Sequence, residues 1–392
     1  MIAQFLFLLY WLLKAFYTRD SGGLQIADYV FVLSFIVLIA ENVGYITSRN
    51  LAIIIKRDKY LFIFVICVAI INFLYWIVYG DQGFLLAIAY FIFNLLVVIE
   101  FRALSARKSF IKSFYISTFL CIAVQFAIYF SGQGRWYGGE RYMGTFNDPN
   151  QLGFFVMSRF FILYLIYKRI EKVKFVSIIS VLAAFLMTSF LIAEAASTGM
   201  FLGMATFVFG WLIYAFLKSK AAGKTLIAIV GFACVALLIV AGDKNFINNP
   251  IVKNDFIVTR VIQKVQKIVY GGGGGGFIKD RNLQAFFAKP YYILLGAGEG
   301  GFIRFIDVAA NGELHSTVLG LLFYYGIIPF IILLCWVKDN LKNKAKLCDF
   351  CVYLAIFVEM LTLINHRQSS LWILFILPSI MNFSEIKIVR KK

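Results

Sequence analysis

Charged residues are scarce in this sequence. Only 15% of its 392 residues are Asp, Glu, Lys or Arg, whereas 61% are hydrophobic. A soluble domain carries roughly 25% charged and about 45–50% apolar residues, so both values argue against a soluble protein. Of the two histidines and six cysteines, Cys348 and Cys351 form a CxxC pair, but no partner ligands accompany it, and no metal site is expected.

Long hydrophobic runs account for this composition. A membrane-spanning helix needs about 20 mostly apolar residues, and twelve segments come close to that length or exceed it. The sequence therefore predicts an all-α integral membrane protein with about twelve transmembrane helices. The first segment is the shortest of the early ones and carries Lys14, and it has no basic stretch before it that would indicate a cleavable signal peptide. The segments are 2–17, 24–42, 59–79, 83–100, 110–130, 152–167, 175–192, 200–217, 224–241, 315–336, 349–364 and 370–383.

Lys and Arg are distributed unevenly among the connections between these segments. Basic residues favour the cytoplasmic side of a membrane, and alternate connections are rich in them, whereas the connections 80–82 and 193–199 contain none. Both termini are therefore predicted to be cytoplasmic. The net charge of +18 follows from this topology and does not indicate a nucleic-acid partner. The basic connections are 43–59, 101–112, 168–174, 218–224, 337–348 and the C-terminal tail.

Two long segments fall on the predicted outer side, 131–151 and 242–314. The second segment divides the chain into residues 1–241, with nine spans and the outer segment 131–151, the outer loop 242–314, and residues 315–392 with three spans and a basic tail. A loop as long as the second is uncommon unless it is functional.

The long outer loop has internal order. With helical spacing, residues 256–269 place apolar side chains on one face and basic side chains on the other, which predicts an amphipathic helix at the membrane surface. This helix either anchors the loop to lipid or contacts substrate. Six glycines at 271–276 predict a hinge, and 281–288 predicts a second short helix. GAGEGG at 296–301 matches a dinucleotide-binding pattern only formally, because no βαβ unit accompanies it.

The polar residues of these outer segments suit an anionic substrate. The planar guanidinium of arginine can bind two phosphate oxygens at once. Histidine, with an ordinary pKa of about 6.5, is a natural general base. Asp148 and Pro149 are expected to fix the start of the sixth span. The candidate substrate ligands are Arg135, Arg141, Asn147, Asn150, Arg159, Arg260, Arg281 and Arg304, and the candidate bases are His315, Glu313 and Glu299.

Four stretches resemble motifs of one bacterial family. GTFNDPNQLG at 144–153 resembles the Gly-Thr-Phe-x-x-Pro-Asn-x-x-Gly stretch of the O-antigen polymerase and O-antigen ligase superfamily. AEAASTGMFLG at 193–203 is similar to the start of a following span in that family, without the usual Arg. Arg281, Pro290 and the Gly-x-Gly at 296–298 resemble its long outer loop, and HSTVLGLLFYYGIIP at 315–329 its His-Asn-x-x-Leu…Gly-Ile pattern, with Ser316 where Asn is common.

The resemblance implies a GT-C-like glycosyltransferase of the bacterial inner membrane, with its active site facing the periplasm. A polymerase of this family transfers the growing glycan from undecaprenyl pyrophosphate to the next lipid-linked repeat unit, with membrane lipid around it and a chain-length regulator as a further partner. No cofactor, nucleotide sugar or metal is expected. Arg281 is the first candidate for binding the pyrophosphate, and direct displacement with His315, Glu313 or Glu299 as base predicts inversion.

Two other functions stay open from the sequence. The GTFNDPNQLG form resembles the polymerases more than the ligases, but a ligase that passes the glycan to the lipid A core has the same motifs. A flippase or other transporter of lipid-linked oligosaccharides belongs to a different class and should have a polar central cavity. Transporter helices are often broken by glycine or proline, whereas three of the five prolines here lie in the outer loops.

Overall fold

The computed structural model describes residues 1–19, 23–41, 55–167, 178–220, 223, 278–279, 281–310, 312–342 and 347–381. The described chain is mostly helical. Its elements in chain order are α1 Ile2–Leu13, α2 Ile26–Glu41, α3 Lys59–Tyr79, α4 Gly83–Ser105, α5 Lys108–Phe130, β1 Arg135–Tyr137, β2 Arg141–Gly144, α6 Pro149–Tyr167, α7 Ile178–Ala195, α8 Thr198–Lys218, α9 Gln284–Ala288, α10 Tyr292–Leu295, a 3₁₀ helix Phe302–Val308, α11 Thr317–Tyr325, α12 Ile327–Leu341, α13 Leu347–Met360 and α14 Ser369–Met381.

Within the described ranges, six helices are long and apolar enough to cross a membrane, and they are α3 to α8. Helices α1 and α14 are apolar but shorter. The predicted total of about twelve spans stays a prediction. The predicted span 224–241, the amphipathic stretch 256–269 with Arg260, and the glycines 271–276 lie outside the described residues.

Most helix positions follow the predictions closely, because uninterrupted apolar runs leave little choice. The predicted segment 59–79 coincides with α3, and Pro149 begins α6. Two predictions were wrong. Segment 315–336 is two helices, α11 and α12, separated by Gly326, and only the last part of 281–288 is helical.

Helix α6 forms the centre of the bundle. Nearly every side chain from Leu152 to Ile166 is buried, and α6 packs against α5, α7, α8 and α14. Its sequence is apolar around the whole circumference, as expected for a helix with neighbours on all sides. Helices α1 and α2 pack together beside it, while α3, α4 and α12 form another packed group.

The described parts of the predicted outer connections meet at one end of the bundle. The Tyr17 N–H donates to the Thr145 carbonyl at 3.4 Å, and the Thr317 N–H donates to the Leu363 carbonyl at 2.8 Å. The Arg141 Nε donates to the Ala195 carbonyl at 3.0 Å. Alternate connections of a membrane-spanning bundle are expected to meet in this way. Which end faces the cytoplasm stays a prediction from the Lys and Arg distribution.

Described residues at or near the predicted cytoplasmic connections meet at the opposite end. Arg107 pairs with Glu41 at 3.1 Å, and the N-terminal amine of Met1 also binds Glu41, at 2.8 Å. Arg57 donates to the Ser379 carbonyl at 2.7 Å. Within the described ranges, the residues of the two predicted sets of connections therefore lie at different ends of the bundle.

A small antiparallel hairpin was not predicted from the sequence. Strands β1 and β2 pair with Trp136 opposite Tyr142, and the register is irregular between Arg135 and Trp136. The Tyr142 ring is buried against Tyr129 and Trp136, at centroid distances of 4.9 and 5.2 Å. This aromatic packing holds the hairpin against the end of α5, next to the GTFNDPNQLG stretch.

Candidate functional site

The GAGEGG segment at 296–301 docks against the break between α11 and α12. The N–H groups of Ala297 and Gly298 donate to the carbonyls of Phe323 and Tyr324, at 2.9 and 2.8 Å. Gly326 follows these carbonyls with φ 78°, and a Cβ there would lie 2.7 Å from the Leu294 carbonyl oxygen. The segment therefore binds carbonyls that a continuous helix would have used itself, and this explains why the predicted span 315–336 is broken.

Arg304 holds this docked segment from within. Its guanidinium donates to the carbonyls of Ala297, Gly298 and Gly300, the last two at 3.0 and 3.3 Å. It also lies over aromatic rings, including that of Tyr75 at 4.8 Å, and burial lowers the pKa of Arg304. Arg304 was predicted to bind substrate, but the structure places it in contacts that fold the loop.

Glu299, in the middle of the segment, accepts hydrogen bonds from three side chains. The Tyr325 hydroxyl donates at 2.6 Å, His366 Nε2 lies at 3.0 Å, and Arg367 reaches it through Nε at 2.8 Å and Nη2 at 2.5 Å. The Glu299 backbone N–H donates to Asn72 Oδ1 at 2.8 Å. The carboxylate is only 1% exposed. It is held in place by its neighbours and is closed to a substrate.

The pKa of Glu299 is strongly lowered by this environment. Burial alone would raise it, but the nearby His366 and Arg367 and the hydrogen bonds to the carboxylate outweigh burial. Arg367 responds in the opposite way: burial would lower its pKa, but Glu299 and Glu313 raise it. The ion pair between Glu299 and Arg367 therefore stays charged at neutral pH.

Arg367 bridges the buried carboxylate and a more open one. Its Nη1 and Nη2 donate to the two carboxylate oxygens of Glu313, at 3.1 and 2.9 Å. The Arg367 side chain is 25% exposed and that of Glu313 is 34% exposed. The guanidinium thus presents one edge to the protein interior and its bidentate edge to the outer surface.

Arg281 and His315 lie next to the Arg367–Glu313 ion pair. The His315 N–H donates to the Arg281 carbonyl at 2.9 Å, and the Arg281 guanidinium donates to the Thr362 carbonyl. The Asn282 amide donates to the Glu313 carbonyl at 3.1 Å, so residues 281–282 hold the segment that carries Glu313 and His315. We refer to Arg281, Glu313, His315 and Arg367 together as the open polar site.

His315 is exposed at its surface edge but partly surrounded by protein. Desolvation lowers the pKa of His315, and the positive charge of Arg281 lowers it further, while Glu313 and Asp148 act in the opposite sense. The neutral imidazole, which is the form that can accept a proton, is therefore favoured near pH 7. The influence of Asp148 also shows that the start of α6 approaches this site.

The stretch 147–150 begins α6 and ties it to its neighbours. Asp148 Oδ1 accepts from the Asn150 N–H at 2.7 Å, which confirms the predicted role of Asp148 in fixing the helix start. Asn150 Oδ1 accepts from Arg141 Nη2 at 3.2 Å and from the Ser197 hydroxyl at 2.8 Å. Two predicted substrate ligands, Arg141 and Asn150, thus contact each other and the turn between α7 and α8.

Arg135 and Asn147 lie at a separate cavity. Arg135 Nη2 donates to the carbonyls of Thr145 and Tyr17, the latter at 3.4 Å, and Asn147 donates to the Arg19 carbonyl at 2.8 Å. The cavity has a volume of about 450 Å³. The described residues that line it are Thr18, Arg19, Gly23, Arg135 and Asn147.

Arg159 lies inside the bundle, away from the open polar site. Its side chain is 2% exposed, and the guanidinium lies over the rings of Trp11 at 3.6 Å and Phe155 at 4.3 Å. These cation–π contacts place it among α1 and α6 side chains. The structure does not bring it together with Arg281 or His315.

Sequence reasoning missed the partners of Glu299, namely His366, Arg367, Tyr325 and Asn72. One signal was available for Arg367. It lies in the turn 361–368, which is predicted to be outer, whereas the outer turns 80–82 and 193–199 contain no Lys or Arg at all. An arginine in such a position needs a reason, and its neighbour His366 is one of only two histidines in the chain.

The comparisons with protein-family models and with curated proteins gave no match for this chain. Among the residues that the structure describes, no three His, Cys, Asp or Glu side chains come together as a set that could hold a metal ion.

Proposed function

We propose that this protein is a polymerase of lipid-linked surface polysaccharide, such as O-antigen or capsule, in the bacterial inner membrane. The observation that carries the proposal is the meeting of Arg281, Glu313, His315 and Arg367 at one end of an apolar helical bundle. These residues come from the long outer loop and from the turn before the last helix. Cations, a carboxylate and an imidazole meet where a lipid-linked pyrophosphate would reach the membrane surface.

The substrate pyrophosphate needs cations that neutralise the charge developing as it leaves. Arg281 is half-buried and anchored through the Thr362 carbonyl. A preorganised guanidinium of this kind stabilises negative charge without further rearrangement. Arg281 is therefore the main proposed ligand of the pyrophosphate, and Arg367 is a second one.

The acceptor hydroxyl needs a base as it attacks the anomeric carbon. The new bond forms between the acceptor oxygen and this carbon, the bond from the carbon to the phosphate oxygen breaks, and undecaprenyl pyrophosphate leaves with the electron pair. His315 takes the hydroxyl proton, since its lowered pKa keeps it neutral. Glu313 is the second candidate, whereas Glu299 positions Arg367 and His366 and does not reach the substrate.

Other contacts with the substrate belong to the GTFNDPNQLG region. The cavity beside Arg19, Arg135 and Asn147 lies at the same end of the bundle, and its size and donors suit sugar hydroxyls or a phosphate group. Arg141 and Asn150 shape this region by connecting the hairpin, the start of α6 and the turn between α7 and α8. Arg159 stabilises the bundle below it.

The test is a reconstitution of the purified full-length protein in detergent with undecaprenyl-pyrophosphate-linked repeat units. The expected result is a ladder of products on a gel, lost in the His315→Ala variant. Transfer only after lipid A core is supplied would replace the polymerase by a ligase. If neither reaction occurs and vesicles containing the protein instead move lipid-linked oligosaccharide across the bilayer, the protein is a transporter.

A further inference from the structure

The two carboxylates bound to Arg367 are held very differently. Glu299 is 1% exposed and accepts from Tyr325, His366 and Arg367. Glu313 is 34% exposed, and the hydrogen bonds described for its carboxylate come from Arg367. Burial and several donors hold Glu299 in place, whereas the carboxylate of Glu313 is bound by Arg367 at a partly exposed position that an anion from solution can reach.

The exchangeable side of Arg367 is the side that recognises tetrahedral oxyanions. Nη1 and Nη2 form the fork that binds two oxygens of one carboxylate or phosphate at once. In this structure Glu313 occupies the fork at 3.1 and 2.9 Å. The opposite edge, Nε with Nη2, is fixed on Glu299 at 2.8 and 2.5 Å. The guanidinium therefore keeps its orientation when Glu313 leaves.

We infer that the Arg367 fork is an anion-binding site whose resting occupant is Glu313, and that a phosphate group of the substrate displaces it. Glu313 lies in the segment held by Arg281 and Asn282, so the displaced carboxylate stays beside the site. In this exchange the phosphate group contacts both Arg367 and Arg281. Naming the anion as a pyrophosphate rests on the proposed function, but the exchange itself does not.

The geometry also explains how the protein keeps this cation while the site is empty. An arginine with one buried carboxylate and no second partner would leave its outer edge poorly satisfied at the membrane surface. Glu313 balances that charge until a stronger anion arrives. The same carboxylate then competes with the anion, and its removal should strengthen anion binding.

The test measures binding of inorganic pyrophosphate to the full-length protein in detergent, by calorimetry at fixed ionic strength. The Glu313→Gln variant is expected to bind it about three- to tenfold more tightly than the wild type, because a competing carboxylate has been removed. Arg367→Lys keeps the charge but loses the fork, and it is expected to bind at least about tenfold more weakly.

A matched control separates this competition from a general change of charge. Asp307 pairs with Lys289 at 2.8 Å in the same outer loop, and its side chain is 59% exposed. Asp307→Asn makes the same change of charge outside the site and is expected to leave the affinity unchanged.

An equal affinity in Glu313→Gln and Asp307→Asn would overturn the inference, as would tight binding by Arg367→Lys. The double variant Glu313→Gln, Arg367→Lys should lose the gain of the first substitution. If pyrophosphate binding follows these expectations while no glycan is transferred in any assay, the exchange stands and the proposed polymerase activity fails. If glycan is polymerised but Glu313→Gln binds pyrophosphate no more tightly than the wild type, the polymerase activity stands and the exchange at Arg367 fails.

Discussion

Two of the ion-pair clusters among the described residues lie near opposite ends of the bundle, and they differ in how far they are exposed. At the predicted cytoplasmic end, Arg102 binds Asp58 with Nε at 2.6 Å and Nη2 at 2.8 Å, and also Asn340 and Ser379 at 2.7 and 3.0 Å. Trp336 Nε1 adds a bond to Asp58 at 2.7 Å. The Arg102 and Asp58 side chains are 4% and 0% exposed. We call this the closed cluster.

The open polar site uses the same kind of ion pair but leaves one side accessible. Arg367 is 25% and Glu313 34% exposed, although Glu299 behind them is as buried as Asp58. The closed cluster joins α3, α4, α12 and α14, which suits a structural connection. The open polar site lies on loops, and its ion pair is partly exposed at the surface. Exposure of the ion pair, more than its presence, therefore distinguishes the candidate functional site.

The largest expected effect concerns the closed cluster. Arg102→Met should lower the free energy of unfolding by about 3–5 kcal/mol, because it leaves the Asp58 carboxylate buried without its cation. Thermal unfolding and size-exclusion chromatography in detergent measure the loss. The double variant Arg102→Met, Asp58→Asn should recover part of it, because no charge is then left unpaired. A wild-type unfolding temperature in Arg102→Met would contradict a structural role.

A second prediction concerns the loop that places Glu299 behind the open polar site. Gly298 has φ +68°, and a Cβ there would lie 2.9 Å from Tyr75 and 3.0 Å from Phe84. Gly80 has nearly the same angle, +69°, with nothing within 4 Å of its Cβ position. Both alanine variants carry the backbone cost of about 1 kcal/mol or more, but only Gly298→Ala also pushes the loop away.

Unfolding measurements on these two variants isolate the docking of the loop. We expect Gly298→Ala to cost about 1–3 kcal/mol more than Gly80→Ala, the usual range for overpacking a tight site. It should also lower glycan transfer beyond the loss of folded protein, because Glu299 and Arg367 shift. Equal stability and activity in the two variants would mean that the loop does not depend on this close approach.

The smallest expected effect is a shift in the pH dependence of the open polar site. His315 acts as a base only when neutral, so transfer should fall as the pH drops through the pKa of His315, which lies below its ordinary value of about 6.5. Asp148 raises this pKa by its negative charge. Asp148→Asn keeps an N-cap acceptor but removes the charge, and it should move the acid limb of kcat/KM to lower pH by less than about one unit.

The control for this shift is Asp307→Asn, which changes the same charge elsewhere in the outer loop. An acid limb above about pH 6.5 in the wild type, or an upward shift in Asp148→Asn, would argue that another group is the base.

Helices could be predicted from the sequence wherever an unbroken apolar run determines them. The candidate site could be predicted only in part. Segment 59–79 is an unbroken apolar run and appears as α3. Segment 315–336 is equally apolar, but its break at Gly326 depends on hydrogen bonds from Ala297 and Gly298. Such a contact between distant segments leaves no local hydrophobic pattern.

The same limit applies to the charged residues. Arg281, Glu313 and His315 were identified by their outer position and by the resemblance, and the structure brings them together. Arg304 carries the same charge in the same loop, yet its guanidinium binds carbonyls of its own loop. Arg367 was missed because its partner Glu299 lies 68 residues away along the chain. Residue type alone does not tell an accessible arginine from an occupied one.

One conservative substitution in each cluster distinguishes a functional arginine from a structural one. Glycan transfer to lipid-linked repeat units is assayed with equal amounts of folded Arg281→Lys and Arg102→Lys protein. Our account predicts that Arg281→Lys loses about 10²–10³ in kcat with wild-type unfolding behaviour, as for the loss of a preorganised donor to a developing oxyanion. Arg102→Lys should be less stable but retain wild-type kcat per folded molecule. Full activity in Arg281→Lys, or an equal loss of kcat in both variants, would contradict the assignment of function to the open polar site.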